Sequence, residues 1–380
     1  MKPFNLHLPT RILFGRGNFS KVGFETSKLG DRCLLVTGRS FARRSGYLDA
    51  LVKNLEEYGL KTFVFDQVEP NPSTDTVYKG FEKGKEGNCN VVVALGGGSA
   101  IDAAKGIAFL LKTNAKLEDN LFPNEVDDAA PLVAIPTTCG TGSEVTRYAV
   151  LTLIKNDIKR KVVLLGNPLV PKVSILDADL LNTLPRELVA YTGLDALSHA
   201  LEAYTSRDST SFSDLIALEA VRIIFENIIE AFEGYPEARE NMLYASMLAG
   251  IAINHAGTEI VHGMGYYLTN YHDVHHGLAN GMLLPYVIRL EVKKGFRKLD
   301  DAAAKLGLEN GIKLVEKIEE IEDRMNIPKS LRDLGLKDTE LDAMVSDALS
   351  YERNMSKHPF PVTVEDLKKV FAMAFSRRGP

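Results

Sequence analysis

The sequence predicts an α/β domain with a parallel, Rossmann-like sheet in residues 1–182 and an all-helical domain in residues 183–380. At 380 residues the chain is longer than one hydrophobic core usually organises. In its first half, short β-branched runs alternate with amphipathic helical stretches, which is typical of a parallel sheet covered by helices. After about Asn182 the strand signals stop and long helical patterns follow.

Five short apolar runs are predicted to form the strands of the first domain. Amphipathic segments lie between several of them, such as 46–58, where the leucines fall on one face. The segment 148–165 interrupts the alternation with two β-rich pieces around Lys155, Asn156 and Asp157, which predicts a hairpin. The predicted strands are 33–37, 62–65, 91–95, 132–135 and 173–176.

The second domain is predicted from helical periodicity. Thr183 and Pro185 indicate the start of its first helix, because threonine and proline are typical of helix N-termini. No strand pattern interrupts the helical segments that follow. The predicted helices cover 187–204, 212–232, 236–254, 312–325 and 341–351.

Composition narrows the class of protein. A net charge of -5 gives no reason to expect nucleic acid or an anionic membrane as a partner. The three cysteines are odd in number and far apart, which favours reduced thiols in the cytoplasm. The N-terminus lacks the apolar stretch of a signal peptide, and apolar runs are too short to span a bilayer. We therefore expect a cytoplasmic protein with a small-molecule partner; the oligomeric state stays open, a homodimer being one option.

A glycine-rich turn follows the predicted strand 91–95. The chain reads GGGSAIDAAK from Gly96 to Lys105, so a buried strand leads into glycines that open a helix. Glycines let the backbone approach phosphate oxygens, and a helix N-terminus offers free N–H groups. The turn matches neither standard phosphate-binding fingerprint and, taken alone, is equally typical of a tight turn without a ligand.

A second loop, PTTCGTGSE at 136–144, follows the strand 132–135 and supplies hydroxyl groups and glycines. Open α/β sheets bind ligands at the carboxyl ends of their strands. Such loops are usually ordinary surface, but two of them after neighbouring strands together favour a nucleotide.

Asp195 and His199 stand four residues apart in a helical pattern, so both lie on one helix face, as in other metal-binding pairs. Five of the eight histidines then fall within 255–276. A lone histidine is usually structural, whereas this combination favours a divalent metal. Spacing does not choose among the members of the cluster, which are His255, His262, His272, His275 and His276.

Together these motifs resemble the iron-containing (group III) alcohol dehydrogenase family over nearly the whole chain. The most specific match runs from SILD at 174–177 through Pro185 to TGLDAL at 192–197 and Glu202. GGGSAIDAAK, IPTTCGTGSE and HHGLANGMLLP at 275–285 follow the family in the same order. The resemblance implies an N-terminal dinucleotide-binding domain, a helical metal-binding domain and an active site in the cleft between them.

The resemblance also implies site residues. The metal ligands carried over are Asp195, His199, His262 and His276. The pyrophosphate loop falls on Gly97, Gly98 and Ser99, with Asp102 near the nicotinamide ribose. The other cofactor contacts carried over are Asn71, Thr137, Thr138, Thr141, Thr146, Tyr148, Lys161 and Leu180.

Departures from the family pattern leave the catalytic proton relay unassigned. Many members carry a histidine four residues after the third ligand, where this chain has Tyr266, and His272 and His275 are extra. His272 and Tyr266 are the two relay candidates. The metal implied is Fe²⁺, with Zn²⁺ as the alternative, because an Asp/His₃ set suits both.

NADP is predicted in preference to NAD. NAD-preferring members generally place an aspartate where Gly38 stands, and a carboxylate there would repel a 2′-phosphate. Arg39 and Ser40 could bond that phosphate, with Arg43 or Arg44 in support. A solvated basic turn is the alternative interpretation.

The predicted activity is hydride transfer between NADP(H) and a small uncharged alcohol or aldehyde, with Tyr148, Leu194, Tyr266, Tyr267 and Leu268 expected near the substrate. A Zn-dependent glycerol dehydrogenase is a related alternative. A lyase similar to dehydroquinate synthase is a rival, but residues 255–286 contain no Lys or Arg for a phosphorylated substrate. A non-catalytic nucleotide-binding protein would leave the metal residues without a purpose.

Overall fold

The structure is a computed structural model that describes residues 2–156 and 158–376. The chain divides into two compact units. One is Leu6–Leu184, and the other begins at Pro185 and includes the N-terminal residues up to Asn5. Within the described ranges, no helix has both the length and the hydropathy needed to cross a bilayer.

The first unit is built on a parallel sheet of six strands in the order β1-β8-β5-β4-β2-β3. A separate antiparallel pair, β6 and β7, confirms the predicted hairpin, although Asp157 of its turn lies outside the described residues. The strands are β1 Arg11–Phe14, β2 Arg32–Gly38, β3 Lys61–Val68, β4 Val91–Gly96, β5 Leu132–Pro136, β6 Tyr148–Lys155, β7 Ile158–Leu165 and β8 Val173–Leu176.

Helices cover the sheet in the first unit and make up the regular structure of the second. The helices are α1 Val22–Ser27, α2 Phe41–Arg44, α3 Tyr47–Glu57, α4 Thr74–Glu86, α5 Gly98–Thr113, α6 Arg186–Thr205, α7 Ser211–Glu233, α8 Pro236–Ala256, α9 Ile260–His272, α10 His276–Lys293, α11 Lys298–Lys305, α12 Gly311–Arg324, α13 Leu341–Leu349, α14 Glu352–Lys357 and α15 Val364–Phe375. Short 3₁₀ turns occur at Asn18–Lys21, Glu118–Asn120, Ser143–Val145, Asn167–Leu169, Ala178–Leu181, Leu331–Leu334 and Asp338–Glu340.

Both faces of the parallel sheet are buried. Along β2, Leu34 belongs to one apolar cluster and Leu35 to another, because successive side chains point to opposite faces. Along β4, Val92 and Val93 divide in the same way. A sheet covered on both faces and a helical C-terminal half confirm the predicted fold class.

The edge strand β1 was not predicted; it pairs with β8, which is more than 150 residues away along the chain. The predicted start of the first C-terminal helix is confirmed, because α6 begins at Arg186 with Pro185 at its N-cap. Proline restricts the residue before it to extended conformations, so the helix could not begin earlier.

The sheet has its switch point between β2 and β4. From β2 the chain moves outward to β3, and then returns to the other side of β2 as β4. Ligands of open α/β sheets bind at the carboxyl ends of the strands that flank such a point. These ends are Gly38 of β2 and Gly96 of β4.

Candidate functional site: nucleotide loops and a metal-binding cluster

The glycine turn after β4 packs directly on the second predicted loop. Gly96 has a φ of +156°, which L side chains rarely adopt. A Cβ on Gly97 would lie 3.1 Å from Thr138, and one on Gly98 would lie 2.5 Å from Cγ2 of Thr141. The two loops that the sequence analysis singled out therefore form one surface at the carboxyl ends of β4 and β5.

Three of the predicted cofactor residues meet at one side of this surface. The backbone N–H of Asn71 donates to Oγ of Ser99 at 3.2 Å. Nζ of Lys161 donates to Oδ1 of Asn71 at 2.8 Å. Burial lowers the pKa of Lys161 to about 7, although Asp102 nearby favours its charged form. The hairpin that carries Lys161 is thereby joined to the first turn of α5.

Both carboxylate oxygens of Asp102 accept hydrogen bonds from the protein. Its Oδ1 accepts from Oγ of Ser143 at 2.5 Å, and its Oδ2 accepts from the backbone N–H of Val150 at 2.9 Å. Burial raises the pKa of Asp102, against the opposing effect of Lys105 and of these hydrogen bonds. Through the bond to Ser143, Asp102 connects the helix α5 to the loop that follows β5.

Lys105 has a structural role that the sequence analysis missed. Its side chain is 0% exposed, and Nζ donates to Oγ of Ser143, Oγ1 of Thr146 and the carbonyl of Tyr148 at 2.6–3.0 Å. Burial lowers its pKa to about 8, although Asp102 opposes the shift. A lysine one helical turn after Asp102 gives no sequence signal for burial.

Several other predicted cofactor contacts are buried. Thr137, Thr146 and Leu180 are at most 3% exposed, and the hydroxyl of Thr146 accepts from Lys105. Leu180 belongs to the apolar cluster on one face of the sheet. Tyr148 is half-buried at the start of β6. The side chains of Thr137, Thr146 and Leu180 are therefore packed against the protein.

The end of β2 carries the residues predicted to accommodate and bond the 2′-phosphate of NADP. A Cβ on Gly38 would make only an ordinary contact, at 3.7 Å from the carbonyl of Val68. Nε of Arg39 donates to the carbonyl of Gln67 at 3.2 Å, and its guanidinium lies 3.8 Å from Glu69. Ser40 precedes α2 without a side-chain cap. Each of these groups lies at the switch point.

Arg43 and Arg44, the supporting arginines of the same turn, differ in their surroundings. Arg43 is paired with Asp66 at 2.5 Å, which leaves its charge partly neutralised. Arg44 is exposed.

The second unit brings the four predicted metal ligands near one another, and three of them, Asp195, His262 and His276, have ligand atoms within 4.8 Å of one another. Asp195 and His199 lie in the middle of α6, His262 is in the first turn of α9, and His276 begins α10. Oδ1 of Asp195 lies 3.7 Å from Nε2 of His262 and 3.9 Å from Nε2 of His276. Oδ2 of Asp195 lies 4.0 Å from Nδ1 of His199. The family resemblance, not the spacing, chose the two later histidines from the cluster.

The helices α6 and α10 approach closely beside these ligands. A Cβ on Gly277 would lie 2.1 Å from the carbonyl of Tyr191, and one on Gly281 would lie 2.8 Å from Leu194. Only glycine lets α10 come this near to α6. His276 is the most open member of the set, with 28% of its side chain exposed.

Asp195 is 2% exposed and remains the anionic centre of the set. Burial disfavours its charge, but His199, His276 and His262, with an N–H of Asn280 at 2.9 Å, outweigh that effect and lower the pKa of Asp195 to about 2.

Glu202 lies one turn beyond His199 on α6 and orients His262. Its Oε2 accepts from Nδ1 of His262. Its Oε1 accepts from the backbone N–H groups of Val261 and His262 at 2.8 and 3.3 Å. Glu202 therefore satisfies free N–H groups at the start of α9 and fixes the imidazole tautomer. From the sequence alone, Glu202 is recognisable only as part of a motif.

The residues present fit a divalent metal. Within the described ranges, Nε2 of His262 is buried without a hydrogen-bond partner, while its Nδ1 is held by Glu202. An orphaned ring nitrogen whose opposite nitrogen bonds a carboxylate is the usual arrangement of a metal-binding histidine. One carboxylate and three imidazoles are also ligands that Fe²⁺ and Zn²⁺ accept.

The two relay candidates have different surroundings. The ring of Tyr266 stacks on His276 with centroids 5.8 Å apart and an interplanar angle of 9°. Nε2 of His272 instead bonds Glu340 at 2.7 Å. The extra His275 accepts from the N–H of Gly277 at the start of α10. Of the two candidates, Tyr266 is the one in contact with the predicted ligands, through His276.

Comparison with known proteins covers nearly the whole chain. The family described as iron-containing alcohol dehydrogenase matches residues 9–178, and the C-terminal part of the Fe-containing alcohol dehydrogenase family matches residues 189–375.

Three relatives illustrate the match. The chain is 32% identical to an NADPH-dependent butanol dehydrogenase of Clostridium saccharobutylicum, with 97% of each chain covered. It is 30% identical to an NAD-dependent methanol dehydrogenase of Bacillus methanolicus, with 97% of this chain and 99% of the relative covered. The crystal structure of a 1,3-propanediol oxidoreductase superposes with a TM-score of 0.92 at 35% identity, covering 98% of this chain and all of the other.

The matches extend over both units and agree with the sheet, the glycine turn and the Asp/His cluster described above. This chain therefore belongs to the iron-containing alcohol dehydrogenase family and is an oxidoreductase that acts on alcohols.

Proposed function

We propose that the protein transfers hydride between NADP(H) and a small, uncharged alcohol or aldehyde, with one divalent metal bound by Asp195, His199, His262 and His276. The observation that carries the metal part is the buried Asp195 carboxylate surrounded by three imidazoles. The nucleotide part rests on the glycine turn and its threonine neighbours at the switch point of the sheet.

Each unit contributes one half of the chemistry. When bound, the metal supplies Lewis acidity and the nicotinamide supplies or accepts the hydride. The turn at Gly97, Gly98 and Ser99 binds pyrophosphate through backbone N–H groups at the start of α5. Glu202 keeps Nδ1 of His262 protonated, so that Nε2 presents its lone pair towards Asp195. The chain's own role is orientation.

Iron(II) is the proposed metal, with zinc as the alternative. Replacing His262 with Ala should abolish turnover and remove the metal from the Asp195 cluster, while nucleotide binding by the first unit persists. Metal content is measured by elemental analysis and nucleotide affinity by fluorescence titration. Full activity with full metal content in His262→Ala would show that this ligand assignment is wrong.

The substrate is proposed to be uncharged because residues 255–286, which include two of the ligands, contain no Lys or Arg. Two residues expected near the substrate need correction: Leu194 and Leu268 are 0% exposed, and Leu194 packs beneath Gly281 in the helical core. Tyr266, stacked on His276, keeps its place as a substrate neighbour.

A panel of short primary alcohols, diols, aldehydes and sugar phosphates, assayed with both cofactors, tests the substrate class. Highest steady-state rates on a short alcohol, diol or aldehyde are expected. Highest rates on a sugar phosphate would revive the lyase alternative.

NADP preference rests on Gly38, which leaves room for a 2′-phosphate, and on Arg39 beside it. Glu69 lies 3.8 Å from Arg39. Its Oε1 already accepts hydrogen bonds from Ser73 and Thr76, so part of its negative charge is stabilised by groups other than Arg39. A charge-assisted contact contributes about 1.5–3 kcal/mol, hence roughly tenfold to a hundredfold in selectivity.

Gly38→Asp tests this preference, since the new Cβ meets only an ordinary contact. The wild type should show the higher kcat/KM with NADP, and the variant should shift towards NAD. Arg39→Ala should weaken NADP alone. Equal or better efficiency of the wild type with NAD would refute the preference.

We also propose a cytoplasmic location. Cys33 and Cys89 are free, buried thiols, as expected for a reducing compartment, and Cys139 is also buried.

A further inference from the structure

A second group of metal-ligating side chains lies inside the helical unit, apart from the cluster described above. It consists of Glu259 immediately before α9, Glu291 in α10 and His358 after α14. Each residue offers one ligand atom, and the three atoms lie within 4.8 Å of one another. Nδ1 of His358 is 2.7 Å from Oε2 of Glu259 and 3.4 Å from Oε1 of Glu291. All three side chains are at most 2% exposed.

Within the described ranges, this group has no directly paired permanent counter-charge, although the charges of Lys298 and Arg207 act on Glu259 from farther away. Among the residues that the structure describes, neither carboxylate forms an ion pair with Lys or Arg. The lysines of the surrounding helices are engaged elsewhere, Lys294 with Asp366 at 2.7 Å and Lys298 with Asp214 at 2.8 Å. Buried carboxylates are normally paired with a cation or bound to a metal.

Glu291 is the least satisfied member. Within the described residues its carboxylate accepts no hydrogen bond, and its ion-pair neighbour is Nδ1 of His358, which bonds Glu259 more closely. Oε1 of Glu259, by contrast, accepts from the hydroxyl of Thr205 at 2.8 Å. Burial first, and then the neighbouring carboxylates, raise the pKa of both Glu259 and Glu291 well above the usual range. A nearly buried carboxylate thus points at a histidine and a second carboxylate without a donor of its own.

We infer that Glu259, Glu291 and His358 form a second divalent-cation site, separate from the Asp195 cluster. Two carboxylates and a neutral imidazole around one divalent ion have no net charge, which removes the cost of burying either carboxylate alone. The mixed oxygen and nitrogen donors suit Zn²⁺, Mn²⁺ or Fe²⁺ better than Ca²⁺ or Mg²⁺, which prefer oxygen ligands. The residues come from α10 and from the ends of α9 and α14, so the ion's role is to join these helices.

Zinc stoichiometry in the full-length protein tests this inference. Wild-type protein is dialysed against Zn²⁺, and bound zinc per chain is measured by elemental analysis. Two equivalents are expected in the wild type and one in Asp195→Asn, which keeps the second group intact. One equivalent is also expected in Glu291→Gln, and none in the double variant.

Glu322→Gln is a matched control, because it removes a buried glutamate of α12 that is not part of either group. It should retain two equivalents. Zinc should also raise the Tm of Asp195→Asn but not that of the double variant.

The outcomes separate this inference from the proposed function. Failure of Asp195→Asn to lose any zinc would contradict the metal ligands of the proposed function. If Asp195→Asn bound no zinc, the second site would be overturned. This result does not depend on whether Glu291→Gln folds. A Glu291→Gln variant that is more stable than the wild type at unchanged zinc content would also overturn it, because the carboxylates would then share protons instead of a metal.

Discussion

Glu202→Gln should weaken metal binding at the Asp195 cluster without removing any ligand. Both oxygens of the Glu202 carboxylate act as acceptors, one for Nδ1 of His262 and the other for two backbone N–H groups at the start of α9. Glutamine has one oxygen and one NH₂ group. In either orientation the NH₂ group therefore faces another N–H donor. Because Glu202 is only 3% exposed, water cannot easily relieve this mismatch.

The magnitude follows from this mismatch. A buried donor left unsatisfied costs about 1–3 kcal/mol. If the amide faces His262, the alternative tautomer places a proton on Nε2, the atom that should bind the metal. Since about 1.4 kcal/mol corresponds to a tenfold change in affinity, the apparent Kd should rise by roughly tenfold to a hundredfold.

Competition with a chromophoric chelator measures the change, independently of turnover. Ser198→Ala is the matched control: it lies on the same helix and, among the residues that the structure describes, its hydroxyl bonds only the carbonyl of Leu194. The control should bind metal as the wild type does. An unchanged Kd in Glu202→Gln, together with loss of metal in His262→Ala, would refute the orienting role while leaving the ligand set in place.

Three further predictions concern the first unit. Gly98→Val should weaken nucleotide binding at least tenfold, because its Cβ would fall 2.5 Å from Thr141; an unchanged Kd in a fluorescence titration would count against the loop as the pyrophosphate site. Lys105→Met should destabilise the protein by about 1–3 kcal/mol in urea unfolding, since three buried oxygen acceptors lose their donor. Burial raises the pKa of Glu144 to about 7 from 4.5, so the folded state binds the extra proton and wild-type stability should fall as pH rises between these values. Glu144→Gln should remove that fall and be more stable than the wild type at pH 8, by up to about 3 kcal/mol, with no gain at pH 4; equal stability at pH 8 would contradict the shift.

The sequence predicted the strands whose signal is local. The runs within β2, β4 and β5 are short, apolar and flanked by turn residues, and each became a central strand of the sheet. β1 was missed because its four residues, exposed at both ends and partly buried between, carry no comparable pattern, and its pairing with β8 depends on contacts distant in sequence.

The residues of the candidate site also fall into those that could be predicted from local sequence and those that could not. Asp195 and His199 could be paired from helical spacing, because both lie on one helix. His262 and His276 lie on other helices, and only the family resemblance separated them from neighbouring histidines. Lys105 gave no signal at all, since a lysine in a helix normally faces solvent. Residues whose partners come from distant parts of the chain are those that sequence reasoning could not assign.

The contact between Gly277 and the carbonyl of Tyr191 has a consequence for mutational tolerance. Any larger residue at 277 must separate α10 from α6, and His276 would move with the displaced helix. In a saturation scan scored by activity, position 277 should thus be as intolerant as a ligand, although it has no side chain to bind anything. A scan scored by abundance would distinguish the two, because the separation of packed helices reduces the amount of folded protein whereas the loss of an imidazole leaves the helix contact intact. Library design around this centre should consequently hold the glycines of α10 fixed and vary Tyr266 instead.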